Sequence, residues 1–280
     1  VVVSGLTLWL LMAPAFAVEV PFTPPAEVRL FTKVASVSAK ASGEGDDCAG
    51  AAALALEELA TKARRADAPT LISAAASGEC KQTKTGHTVL NSVVSLDGLA
   101  IAEGEGMPSV TADRAVAIAA TVGAPQGGLD EAELVGVDGA AFLALGPLDP
   151  GESTLTAEAR AAGAFLDQVL PAMATWAGVL PALPELGGVA VDVLTDGKGK
   201  KRGALRFVVP TADIAVWKRG EIPDELLLER SRVFTSPAGK ERVWAPMTVD
   251  LSTAGQSDAG LRSVDMNDAD LEGLEDEESP

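Results

Sequence analysis

The chain has 280 residues, a formal net charge of −18, and a composition that is 47% apolar but only 4% aromatic, with no tyrosine. So acidic a chain repels nucleic acid, whose binding rests on neutralising phosphates with Lys and Arg, and it is repelled likewise by anionic membrane surfaces. The shortage of aromatics argues against a stacking platform for bases or sugars, and it implies a core built from Ala, Val and Leu.

The chain opens VVVSGLTLWLLMAPAFAVEV, with no charge before Glu19. Leu6 to Met12 is a short apolar core, Pro14 breaks it, and Ala15-Phe16-Ala17 fits a small-x-small cleavage site. The run is shorter than the ~20 apolar residues of a spanning helix. It predicts a signal peptide over 1–17 and a mature chain beginning near Val18, exported to the periplasm or beyond. No cysteine follows the apolar core, so there is no lipoprotein box. Past PFTPP, the stretch EVRLFTKVASVSAK (27–40) alternates and is rich in β-formers, which predicts one or two strands. SGEGDD is a turn. Asp46 or Asp47 then caps a helix through about Arg65, whose basic last turn (Lys62, Arg64, Arg65) suits the helix dipole. Its apolar face is Ala52, Leu56, Leu59 and Ala63. APTLISAAAS reads as a short strand, KQTKTG as a polar loop, and HTVLNSVVSLDGLAIAE as a long strand or hairpin. The first domain is thus β-α-β-β over 27–102.

EGEGMPSV (103–110) reads as a linker, and TADRAVAIAATV as a short helix capped by Thr111. Between the breaks APQGG and GPLDPGES, the segment ELVGVDGAAFLAL fits either strand or helix. A helix runs from Thr154 to about Leu170, with Pro171 kinking or ending it before AMATWAGVL. VAVDVL and ALRFVV flank TDGKGKKRG as a hairpin with a basic tip. Pro223 opens another helix, ERVWAPMTVDL is a last strand, and residues 255–280 form an acidic tail predicted to be disordered. The fold class is α+β: a β-α-β-β domain, then a second α+β domain over 111–254 containing the hairpin.

The stretch ARRADAPTLISAAASGEC…TVLNSVVSLDGLAI resembles the core of the Rcs envelope-stress sensor lipoprotein and of small YbjQ-like envelope modules. In that pattern a helix ends in a basic, Ala-rich turn, a buried strand follows, and then come a cysteine-bearing loop and a small-residue strand. The resemblance implies a small envelope domain with a sensing or partner-binding role. The sensor family carries four cysteines and a lipid anchor, where this chain has two cysteines and no lipobox.

Cys48 and Cys80 are the only cysteines. An even count in an exported chain favours a disulfide, here between a helix start and the exit of the following strand. A reactive pair at the helix N-terminus is the sharper alternative, but redox pairs usually sit as CxxC. Metal binding by the two with His87, the only histidine, lacks a fourth ligand. Lys84-Thr85-Gly86 beside His87 has no SxxK upstream, and GQSDA (255–259) fails as a nucleophile elbow. Lys198, Lys200, Lys201 and Arg202 lack the spacing of a phosphate-binding loop and read as a solvated tip or a partner or anion contact, the acidic tail included. Asp268, Asp270 and Glu272 echo the start of a calcium loop, but its twelfth position is Ser279.

These readings assign no catalytic residue, no cofactor and no metal. The expected function is an exported, non-catalytic binding, sensing or scaffold module whose partner is another envelope protein. The rival readings are a secreted hydrolase using acidic pairs such as Glu131 and Glu133, and a calcium-responsive protein acting through its tail.

Overall fold

In a computed structural model the described residues are 20–45, 47–76, 80–85, 89–122, 133–149, 157–195, 202–238 and 242–254; for 81–85, 89–90 and 157 only the backbone is described. The chain divides into two units, and the division falls within one helix, between Val116 and Ala117. Residues 29–32 and 104–109 group with the second unit.

The first unit is a helix on a sheet. Its strands are β2 (Phe31–Glu44), β3 (Thr70–Ala76), β4 (Lys81–Thr85) and β5 (Val89–Glu103), and its helix is α1 (Cys48–Arg65). A short β1 (Glu27–Arg29) precedes them and pairs separately with β6 (Ser109–Thr111). The long β5 is the spine of the sheet. It pairs with β2, and antiparallel with β3 through Thr70–Ile101 to Ala76–Leu96 and with β4 through Lys81–Val93 to Thr85–Val89. The polar stretch expected to be a loop is therefore a strand. Hydrophobic periodicity is silent on a polar strand, although its Thr residues favour extended backbone.

Helix α1 begins as its sequence predicts. Asp47 is the cap, its Oδ1 accepting a 2.7 Å hydrogen bond from the Gly50 N–H. The buried stripe is Ala51, Ala52, Ala55, Leu59 and Ala63, and it packs with Val37, Ala39, Val94, Leu96 and Ala100 of the sheet. Such small residues let the two backbones approach closely. Gly98 of β5 marks the contact: a Cβ there would lie 2.9 Å from Leu59 Cδ2 and 3.0 Å from the Ser73 carbonyl oxygen. Polar groups fix the rest. Lys62 Nζ donates to the Ser38 carbonyl at 2.7 Å, and the fully buried Ser92 hydroxyl donates to the Gly45 carbonyl at 2.9 Å.

The expected linker is instead ordered into the second unit. Gly104 N–H donates to the Leu30 carbonyl and Leu30 N–H to Pro108, and Met107 is buried. β6 then leads into α2 (Ala112–Val122), whose Arg114 N–H bonds to Thr111 Oγ1, the expected cap.

The second unit is a six-stranded sheet in the order β12-β11-β10-β9-β8-β7. Its strands are β7 (Leu134–Val137), β8 (Ala140–Leu148), β9 (Leu186–Leu194), β10 (Ala204–Pro210), β11 (Arg232–Ser236) and β12 (Ala245–Met247). β7 and β8 settle the ambiguous middle segment as a hairpin. Its turn is Asp138-Gly139, both at positive φ (51° and 79°), the left-handed pair that a tight two-residue hairpin demands. β9 and β10 form the expected hairpin, with register from Ala204–Leu194 to Pro210–Gly188. Only β8 and β9 run parallel, and helices cross between them.

That crossover is α3 (Ala157–Ala164), a π-helical turn (Phe165–Val169) and α4 (Leu170–Trp176). The expected break at Pro171 is thus a widening of the helix. Proline has no N–H to return to the turn before it, and the chain accommodates this with five-residue bonding, the Leu170 N–H donating to the Phe165 carbonyl. Phe165, Val169, Met173 and Trp176 are buried, and the Phe165 ring lies 5.8 Å from that of Phe207 on β10. After β10 come α5 (Thr211–Lys218) and α6 (Asp224–Arg230), which starts behind Pro223 as expected, then β11 and β12.

Cys48 and Cys80 are joined, with Cα atoms 6.1 Å apart. The bond ties the N-terminus of α1 to the start of β4. Closing a loop of this length restricts the unfolded chain by roughly 3–4 kcal/mol. Replacing both cysteines with serine is expected to lower the free energy of unfolding by about 3 kcal/mol, read from urea titrations. An unchanged midpoint would show that the bond does not stabilise the unit.

Candidate functional site

A concavity lined by described residues of the second unit has a volume of about 610 Å³. That falls within the ~300–1,000 Å³ typical of ligand clefts. Its walls are α6 and the segment following β12, and the π-turn reaches it from below through Leu166. Leu166, Leu228, Val249 and Leu251 make it apolar. Glu225, Glu229 and Asp250 line it as exposed carboxylates, with Thr248 and Ser252 between them.

Each wall has a physical anchor. α6 is held to α5 at both ends: Trp217 Nε1 donates to Asp224 Oδ1 at 2.7 Å, and Arg230 pairs with Asp213 at 3.2 Å. Leu227 and Leu228 are buried beneath it. With that face fixed inward, Glu225 and Glu229, one helical turn apart, stand together on the cleft side. No base among the described residues pairs with either.

The opposite wall is fixed through the sheet. Arg206 grips Asp192, its neighbour across β10 and β9, with two 2.7 Å hydrogen bonds, and the pair is mostly buried at 17% and 19% exposure. The Trp244 ring stacks on that guanidinium at 4.4 Å. This secures the strand entry to β12, after which the chain closes the cleft. There Asp250 caps a 3₁₀ turn (Leu251–Thr253), its Oδ1 accepting the Ser252 N–H at 2.8 Å, and the turn lies against α3. The hydrogen bonds from the Ser252 backbone N–H and then its hydroxyl hold the Asp250 carboxyl below the usual aspartate range, outweighing its slight desolvation.

A second, shallower groove of about 390 Å³ lies on the sheet of the first unit. Ser36, Ser38, Ser73 and Asp97 supply its polar groups. Asp97 is its one carboxylate among the described residues, and Val37, Ala75, Gly98 and Leu99 form the rest.

Of the sequence-derived candidates, few lie among the described residues. Arg202, read as a partner or anion contact, is held by its own chain: its guanidinium donates to Asp149 Oδ1 at 2.9 Å and its Nε to the Thr195 carbonyl at 2.9 Å. Lys198, Lys200 and Lys201 lie outside the described residues, as do His87, Glu131, Asp268, Asp270 and Glu272. Glu133 is described; it is exposed just before β7 and does not line the cleft. The cleft residues went unrecognised in the sequence. The Glu225/Glu229 spacing in PDELLLER places both on one helix face, but nothing local says what that face opposes.

Among the described residues no helix is long and apolar enough to cross a membrane. No protein-family model, curated protein or solved structure matches the chain.

The Asp250 cap makes the cleft wall pH-dependent. Its folded pKa is depressed, so the turn gains stability above the ordinary aspartate range and loses it as pH falls through the lowered folded value. NMR titration of the Asp250 carboxyl carbon is expected to give a midpoint below that of ordinary aspartates, with the Ser252 amide shifting in step. A midpoint at the ordinary value would remove the cap from the account.

Proposed function

We propose that the chain is an exported, non-catalytic binding or scaffold protein of the cell envelope, and that its partner, another protein, docks at the α6 cleft. The cleft carries this reading. An apolar floor with polar rim groups, set on elements held from beneath, is the arrangement that receives a ligand rather than one left by loose packing. Export is supported by the disulfide, which persists in oxidising compartments, and by the apolar leader with its small-x-small site.

One observation speaks for the hydrolase reading: three carboxylates share the cleft. A carboxyl pair that divides acid and base duties needs environments that separate them, usually through burial. Glu225, Glu229 and Asp250 are all exposed, and Asp250 is held ionised by Ser252. Rim carboxylates of this kind suit recognition better than proton transfer.

Site-specific photo-cross-linking in the native envelope tests the reading. A photoreactive residue at Thr248, on the cleft wall, is expected to capture one protein species, while the same residue at Thr61, on the exposed side of α1, does not. Equal capture at both positions, or none at Thr248, would count against docking at the cleft.

A further inference from the structure

We infer that the segment docking in this cleft is cationic and amphipathic: a stretch of partner polypeptide with Lys or Arg on one side and aliphatic residues on the other. The inference rests on the reading of the cleft as the docking site and specifies its occupant. Two features of different chemistry carry it. Leu166, Val249 and Leu251 are only partly buried in the free chain, so the floor offers apolar surface that an aliphatic side chain would cover. Around that floor, among the described residues, every charged lining group is a carboxylate and no Lys or Arg lines the cleft. An apolar ligand without positive charge would leave three anions at the edge of a newly desolvated contact, and an anionic one would be repelled.

The same charge arithmetic narrows the alternatives within the chain. Residues 255–280 carry nine acidic side chains against one base, Arg262, so the tail that begins a few residues beyond the cleft wall is on balance the wrong sign to fill it. A second copy brings another net charge of −18, which opposes self-association as a whole. What complements both floor and rim is a foreign segment of opposite charge. Charge of this kind acts mainly on encounter and register, while the apolar floor sets how long the segment stays.

The test uses the full chain and three synthetic peptides of one pattern: Lys with Leu, Gln with Leu, and Lys with Ser. Fluorescence anisotropy is expected to show the Lys/Leu peptide binding most tightly, with both the uncharged and the non-aliphatic versions at least about five-fold weaker. Replacing Glu225→Gln and Glu229→Gln should weaken Lys/Leu binding by about five-fold, at the scale of two exposed ion pairs. Glu44→Gln with Glu57→Gln, which removes two exposed carboxylates of the first unit, should leave it unchanged. Equal losses in the two double variants would mean that only bulk charge attracts the peptide, and would overturn the inference. So would equally tight binding of the Gln/Leu peptide, or self-association in sedimentation that the cleft variant abolishes. Silence of the Thr248 cross-linker defeats the docking site itself, whereas Thr248 capture with indifference to peptide charge defeats only the cationic occupant.

Discussion

A core made of Ala, Val and Leu holds a helix to a sheet only if the two backbones come close, and that constraint runs through the first unit. Leu59 can sit on β5 because Gly98 has no Cβ to meet it, and Ala51, Ala52, Ala55 and Ala63 bring the remaining turns down to the same level. Dispersion falls off steeply with separation, so small side chains contribute only when there is no gap between them. The price is sensitivity: at this interface one added methyl group reaches a neighbour. The disulfide at the helix start and Lys62 near its end hold the helix against the sheet at both ends of that contact.

The second unit meets the same shortage of aromatics differently. Two of its large rings meet where a helix crosses a strand, Phe165 against Phe207, and Trp176 is buried at the end of α4. The helical crossover could not remain regular with Pro171 in it, and the π-turn that accommodates the proline also brings Leu166 to the cleft floor. A backbone necessity thus reaches the concavity directly. The walls follow from paired anchors, Trp217–Asp224 and Asp213–Arg230 for α6, Arg206 with Asp192 and Trp244 for the chain leading to Asp250. The carboxylates facing the cleft are exposed, and the anchoring pairs are not among its lining residues. That separation of support from contact suits a recognition surface.

Much of the fold was legible because its signals are local. A capping Asp before an Ala-rich run, Pro223 ahead of a helix, and alternation on both sides of a polar tip each require only a few neighbouring residues. Asp138-Gly139 is equally local, but the apolar run around it obscures the hairpin signal. β4 lacked the one cue that periodicity supplies. The cleft was not legible for a different reason: its carboxylates come from α6 and from a segment about 20 residues further on, brought together by the six-stranded sheet. The charges of the basic tip are adjacent in sequence, yet Arg202 is satisfied by Asp149, 53 residues away. Adjacency in sequence and adjacency at a site are independent, and only the first can be read without a fold.

The central claim is that the second unit's cleft, and not the serine-lined groove of the first unit, is where the chain meets its partner. Amide hydrogen exchange on the intact chain, free and saturated with the protein captured from the envelope, tests it most directly. The account predicts slowed exchange in residues 224–230 and 248–254, with 36–38, 73–75 and 97–99 unchanged. Protection at the groove strands, with α6 and the Asp250 turn unaffected, would contradict it.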